Sequence, residues 1–193
     1  MSLADRFIHT LGSTRRGLVA FFGLGVLDGS FLPFPIEPFV LPIMAFRPRR
    51  AWVMAGALLA GCLTGTFLFY ALGLLAGDAV VEPMIASFGM TAAYAEQLDA
   101  IRDDAFLTLF LIGLTPIPLQ IGTLGAGVAG VDPVTFLVAM ALSRGIRYAL
   151  LALASVALGL GAERVLRRFQ TPIILGSLLA AAVVFVGLRV GTH

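Results

Sequence analysis

Two acids and two arginines lie inside apolar stretches of this chain, where a charged side chain is costly. Asp28 and Glu37 flank a proline pair in Asp28-Gly-Ser-Phe-Leu-Pro33-Phe-Pro35-Ile-Glu37-Pro38, and Arg144 and Arg147 sit in Ser143-Arg144-Gly-Ile-Arg147-Tyr148. An ionised carboxylate at the centre of a membrane helix costs roughly 2.5–3.5 kcal/mol on insertion scales. An acid kept there is a candidate for binding and releasing a proton. The plainer alternative is that Asp28 caps a helix and Glu37 sits at a wet interface. Arginine keeps its charge, so Arg144 and Arg147 must meet anions or reach water. Three apart on a helix, they share a face. Their candidate partners are Asp28 and Glu37, or an anionic ligand such as a phosphate, which a guanidinium grips with two donors. A purely structural ion-pair cluster is the competing reading. The two are compatible, because a ligand can compete for a paired arginine.

A second proline pair recurs in Thr115-Pro116-Ile-Pro118-Leu-Gln120, with Gln120 in the position of Glu37. Gln120 is a candidate ligand-binding amide or a group that satisfies its own loop. Of the glycines that follow, Gly122, Gly125, Gly127 and Gly130, the last three spell a dinucleotide fingerprint by chance only, since no βαβ unit surrounds them. They suit close helix packing, as do Gly56, Ala60, Gly61 and Gly65. Enzymatic chemistry finds no support. The only histidines are His9 and His193, so no serine–histidine pair and no HExxH motif lies in the apolar stretches, and no cluster of metal ligands is present. The expectation is a non-enzyme without cofactor or metal.

These residues must be positioned by membrane elements. Of the 193 residues, 59% are hydrophobic and 12% charged, about half the charge of a soluble domain, which is roughly 25%. The single cysteine, Cys62, excludes an intrachain disulfide. No linker divides the chain, so one polytopic domain over 1–193 is expected. Residues 1–16 read as a short interfacial helix, with no cleavage site to make them a signal peptide. Apolar stretches follow at 18–46, 51–76, 105–131, 133–160 and 173–190. The first and third are interrupted by the proline pairs; Pro33, Pro35, Pro116 and Pro118 would be the tips of hairpins, because proline cannot continue a helix.

Arginines flank the first stretch on both sides: Arg15 and Arg16 before it, Arg47, Arg49 and Arg50 after it. The positive-inside rule places both ends in the cytoplasm, so 18–46 must enter and return. The amphipathic connector 77–104 holds six acids against Arg102 and suits the outer side. The stretch 105–131 is then a second hairpin, entering from outside. The predicted fold is all-α: an inverted repeat of re-entrant hairpin plus transmembrane helix, with an extra C-terminal transmembrane helix. Inverted repeats with broken helices are a recurring plan of secondary transporters.

These motifs resemble the DedA/VTT (SNARE-associated Golgi protein) membrane family. The Asp28 to Glu37 segment is similar to the family's first hairpin, an acid followed by a Pro-x-Pro-x-Glu element. Gly65, Tyr70 and Gly73 match its Gly-x4-Tyr-x2-Gly segment, and the Thr115–Gln120 and Ser143–Tyr148 segments look most like the YqaA-like branch. The resemblance covers roughly residues 20 to 155. It implies a multi-pass protein of the bacterial inner membrane that flips undecaprenyl phosphate or a phospholipid, dependent on the proton-motive force, with Asp28 and Glu37 as its embedded acids. Many members carry arginines in the second hairpin, where this chain has Leu114 and Gln120. Phosphate binding would then pass to Arg144 and Arg147.

The expected substrate- and proton-binding set is therefore Asp28, Glu37, Gln120, Arg144 and Arg147. The expected partners are a membrane lipid and protons, with no nucleic acid, and a homo-oligomer is compatible. A proton- or ion-coupled carrier of a small soluble solute, and a non-transporting membrane assembly factor, are the alternatives.

Overall fold

The computed structural model describes residues 15–30, 36–87, 89, 91–115 and 119–161. Among these every regular element is helical: α1 (Arg15–Ser30), α2 (Glu37–Ala45), a 3₁₀ turn (Pro48–Arg50), α3 (Ala51–Ala76), α4 (Asp78–Ser87), α5 (Thr91–Asp103), α6 (Ala105–Leu114), α7 (Leu119–Val128) and α8 (Pro133–Gly161). Each interrupted stretch contains two of these helices, with Ile36 outside helix before α2 and Thr115 in extended conformation after α6. The prolines Pro33, Pro35, Pro116 and Pro118, the segment 1–14 and the stretch 173–190 lie outside the described residues. Arg15 and Arg16 belong to the first turn of α1 rather than to a separate preceding helix. The connector 77–104 forms two helices, α4 and α5.

The boundaries follow local chemistry. Gly77 ends α3 at φ +64°, a conformation that costs glycine little, and its N–H reaches the Gly73 carbonyl. Asp104 caps α6 by accepting from the Leu107 N–H at 3.0 Å. Gly130 (φ +67°) closes α7, and Asp132 then caps α8, accepting from the Thr135 N–H at 2.9 Å.

Helix α3 is the axis of the packing. Its first half lies along α1 with backbone against backbone: a Cβ at Gly61 would stand 2.0 Å from the Phe22 carbonyl oxygen, and one at Gly25 would stand 2.2 Å from that of Leu58. Gly29 and Gly65 repeat the contact one turn on. The second half of α3 meets α7 in the same way, Gly73 against Leu124 and Gly127 against Tyr70. Helix α8 takes the other short helices. Gly113 of α6 sits against Ser143, and Gly159 of α8 against the Ala45 carbonyl at the end of α2. The packing is thus crosswise: α1 lies on α3 and α2 on α8, while α6 lies on α8 and α7 on α3.

Two helical segments, Pro48–Ala76 and Pro133–Gly159, are long and apolar enough to cross a membrane. Helices α6 and α7, ten residues each, are about 15 Å long, half of a hydrocarbon core of about 30 Å. Along α8 the outward positions Val134, Val138, Leu142, Ile146, Leu150 and Leu153 form an exposed apolar stripe. The inward positions Phe136, Met140, Tyr148 and Ala152 join the core.

Candidate functional site

The crosswise packing brings the C-terminal turn of α1, the first residue of α2 and the end of α6 onto the middle of α8. Asp28 is in that turn of α1, and Glu37 opens α2 with Pro38 beside it. Arg144, Arg147 and Tyr148 present one face of α8, because spacings of three and four repeat along a helix.

Asp28 is buried and Oδ2 gathers three neighbours. The Tyr148 hydroxyl donates to it at 2.7 Å, Arg144 Nη1 lies at 3.7 Å, and the Cys62 thiol donates weakly from α3 at 3.7 Å. Two unit charges at this separation attract by about 4 kcal/mol at an effective dielectric of 20. The desolvation of both ions offsets much of that. Arg144 is not fully satisfied: its Nε is buried with no hydrogen-bond partner among the described residues. Ser143, next in sequence, directs its hydroxyl at the Ala139 carbonyl 2.8 Å away, so it is engaged in its own helix.

Glu37 meets Arg147, whose Nε donates to Oε1. The same guanidinium donates through Nη1 to the Thr115 carbonyl at 3.4 Å. Arg147 therefore touches the start of α2 and the end of α6, one limb from each interrupted stretch. Among the described residues the second carboxylate oxygen, Glu37 Oε2, is buried without a hydrogen-bond partner. This pair is more open than the first, each side chain being 22% exposed against 5% and 8% for Arg144 and Asp28.

Of the residues singled out from sequence, Asp28, Glu37, Arg144 and Arg147 come together as two adjacent ion pairs of zero formal net charge. Gln120 is half-buried in the first turn of α7, and its carbonyl accepts from the Thr123 hydroxyl at 3.1 Å. Tyr148 and Cys62 were missed as site residues. Tyr148 stood four residues after Arg144, a spacing that announces a shared face; nothing in sequence linked Cys62 to Asp28. Tyr70 is structural: its hydroxyl donates to the Val131 carbonyl at 2.5 Å and its ring stacks on Phe136 with centroids 4.6 Å apart. Among the described residues no group of three or more His, Cys, Asp or Glu gathers in an arrangement that could hold a metal ion.

Fold and site thus define, among the described residues, an all-helical arrangement with two helices long and apolar enough to cross a membrane and an ionic cluster on the middle of one of them. Over 126 residues the chain is 28% identical to an uncharacterised protein of Haemophilus influenzae. The match covers 65% of this chain and 65% of that protein's length. Comparison with protein-family models gives no match, and no solved structure matches.

Proposed function

We propose that this is a multi-pass protein of the bacterial inner membrane that moves a lipid with an anionic headgroup, undecaprenyl phosphate or a phospholipid, across the bilayer at the expense of the proton-motive force. The observation that carries the reading is the pair of acid–arginine contacts at the middle of α8, on a helix whose outer face is an apolar stripe. Ionisable groups at membrane depth are expensive, and they commonly mark a substrate or proton path. The half-length of α6 and α7 suits re-entrant limbs. The crosswise exchange of α2 and α7 between α3 and α8 suits two inverted repeats of hairpin plus helix. The resemblance of the proline and arginine motifs to DedA/VTT proteins points the same way. The arginines are the headgroup ligands in this reading, and Asp28 and Glu37 the proton-binding groups.

The test is reconstitution of the purified protein in liposomes, following a labelled phospholipid and a polyprenyl phosphate with and without an imposed pH gradient. Transport that needs the gradient and is abolished by Glu37→Gln is the expected result. A well-folded protein that moves neither lipid overturns the reading in favour of a soluble substrate or a role outside transport.

A further inference from the structure

The two ion pairs differ in access and in completeness. Asp28–Arg144 is sealed, while Glu37–Arg147 is partly open. A guanidinium offers five N–H donors in a fork that matches two oxygens of an oxyanion. Glu37 engages that fork through one oxygen only and leaves Oε2 without a partner; the Nη1 contact to Thr115 is long, at 3.4 Å. Among the described residues Arg147 is therefore held by a single strong contact and retains donors for a better-matched anion.

Charge balance then limits how such an anion can enter. Among the described residues Glu37 meets Arg147 of α8 and lies within electrostatic reach of Asp28 of α1, which is itself held by Arg144 and Tyr148 of α8 and by Cys62 of α3. With both acids ionised the two arginines are neutralised. Adding a monoanionic phosphate would leave an uncompensated charge in a poorly solvated site, a state that is strongly disfavoured. Neutrality is kept if Glu37 takes up one proton as it leaves the guanidinium.

We propose that Glu37 masks Arg147, that a monoanionic phosphate group displaces it, and that each phosphate bound brings one proton onto Glu37 while the Asp28–Arg144 pair stays closed. No covalent bond forms; one proton passes from solution to the Glu37 carboxylate. The inference rests on the transport reading only for the source of the phosphate, which that reading takes to be a lipid headgroup.

Titration calorimetry of the detergent-solubilised full chain tests it, with dimethyl phosphate as the free anion and dihexanoyl phosphatidylglycerol as the lipid. Buffers of different ionisation enthalpy report proton uptake. Wild type is expected to take up about one proton per phosphate bound, the linkage of a single site. Glu37→Gln, which keeps the side chain's shape, should take up none and bind about tenfold more tightly, as when a competent state populated one time in ten is unmasked. Asp28→Asn should not tighten binding, and adding Arg147→Gln to Glu37→Gln should remove it. Binding of the lipid alone, or of both probes, with this pattern supports the proposal and separates the two sources. Absence of proton uptake by wild type, unchanged affinity in a folded Glu37→Gln, or binding by neither probe overturns it. Lipid movement in liposomes without linked proton uptake would sink this inference and leave the transport reading standing. Linked uptake without lipid movement would do the reverse.

Discussion

Replacing Gly61 by alanine should separate α1 from α3 and disturb the ionic cluster from a distance. The added Cβ would stand 2.0 Å from the Phe22 carbonyl oxygen, 2.9 Å from the carbonyl carbon and 3.0 Å from the Val26 nitrogen. All three are backbone atoms, so no rotamer change relieves the clash. Restoring an ordinary contact of about 3.4 Å requires the helices to part by about 1.4 Å, a distortion in the class that costs about 1–3 kcal/mol. Asp28 rides on α1 and already stands at 3.7 Å from the Cys62 thiol of α3, so the same displacement breaks that contact and shifts Asp28 relative to Arg144. Gly56 is the control: a Cβ there meets nothing within 4 Å. Alanine at Gly56 should cost nothing and gain up to about 1 kcal/mol from helix propensity. Two assays read the difference. Thermal unfolding should fall for Gly61→Ala and hold or rise for Gly56→Ala. Maleimide labelling of the sole cysteine, Cys62, buried in the wild type, should accelerate in Gly61→Ala alone. If both variants unfold and label like the wild type, the close backbone contact between α1 and α3 is wrong.

Three further outcomes follow from the same geometry. Asp28→Asn leaves Arg144 buried without a counter-ion and should lower stability by about 3–5 kcal/mol, measured by denaturant or thermal unfolding, with part recovered in Asp28→Asn/Arg144→Gln. Tyr148→Phe removes a 2.7 Å hydrogen bond to a carboxylate and should cost about 1.5–3 kcal/mol; an unchanged midpoint would show that the hydroxyl is not engaged. In the connector, burial and the neighbouring Asp78 carboxylate, which accepts from the Tyr94 hydroxyl at 3.3 Å, push that phenol up to about 12. The folded state therefore prefers the neutral phenol. Its contribution is fully present below the unfolded value of about 10 and is lost as pH rises towards 12, which phenolate absorbance of wild type minus Tyr94→Phe will track.

The helical stretches were legible because glycine marks their ends: Gly77 and Gly130 end α3 and α7 where the apolar runs stop. The pairing of acids with arginines was legible from cost alone, since four charges in apolar segments need partners. Which acid meets which arginine was not, because it depends on α2 crossing to α8, a contact between residues 110 positions apart in sequence. Cys62 escaped notice for a related reason. It donates to Asp28 because Gly25 and Gly29 let α1 approach α3 closely, and that approach is set by two helices at once. Small residues at Gly61 and Gly65 pointed to close helix packing, and an assembly role predicts that they are sensitive to substitution. They are occupied by α1, so their sensitivity to substitution would not discriminate an assembly role from transport.

The closest glycine contacts gather six of the described helices into two groups, which also touch each other through Gly122 of α7 against Ile112 of α6, and the ionic cluster lies where the groups meet. Helices α1, α3 and α7 are joined through Gly25, Gly29, Gly61, Gly65, Gly73 and Gly127, while α2, α6 and α8 are joined through Gly113 and Gly159. Each group takes two helices from one half of the sequence and one from the other. Close backbone contacts resist sliding, because packed interfaces have few alternative arrangements. Asp28 with Arg144 and Tyr148 bridges the groups, whereas Glu37, Arg147 and the Thr115 carbonyl all belong to the second. A motion that parts the groups must break the sealed pair. Movement of α2 within its group needs only the open pair to exchange, and that contact engages the guanidinium through one oxygen. Exchange at Glu37 is the smaller step, so a cycle driven by protonation would begin there, with Asp28 holding the two groups in register.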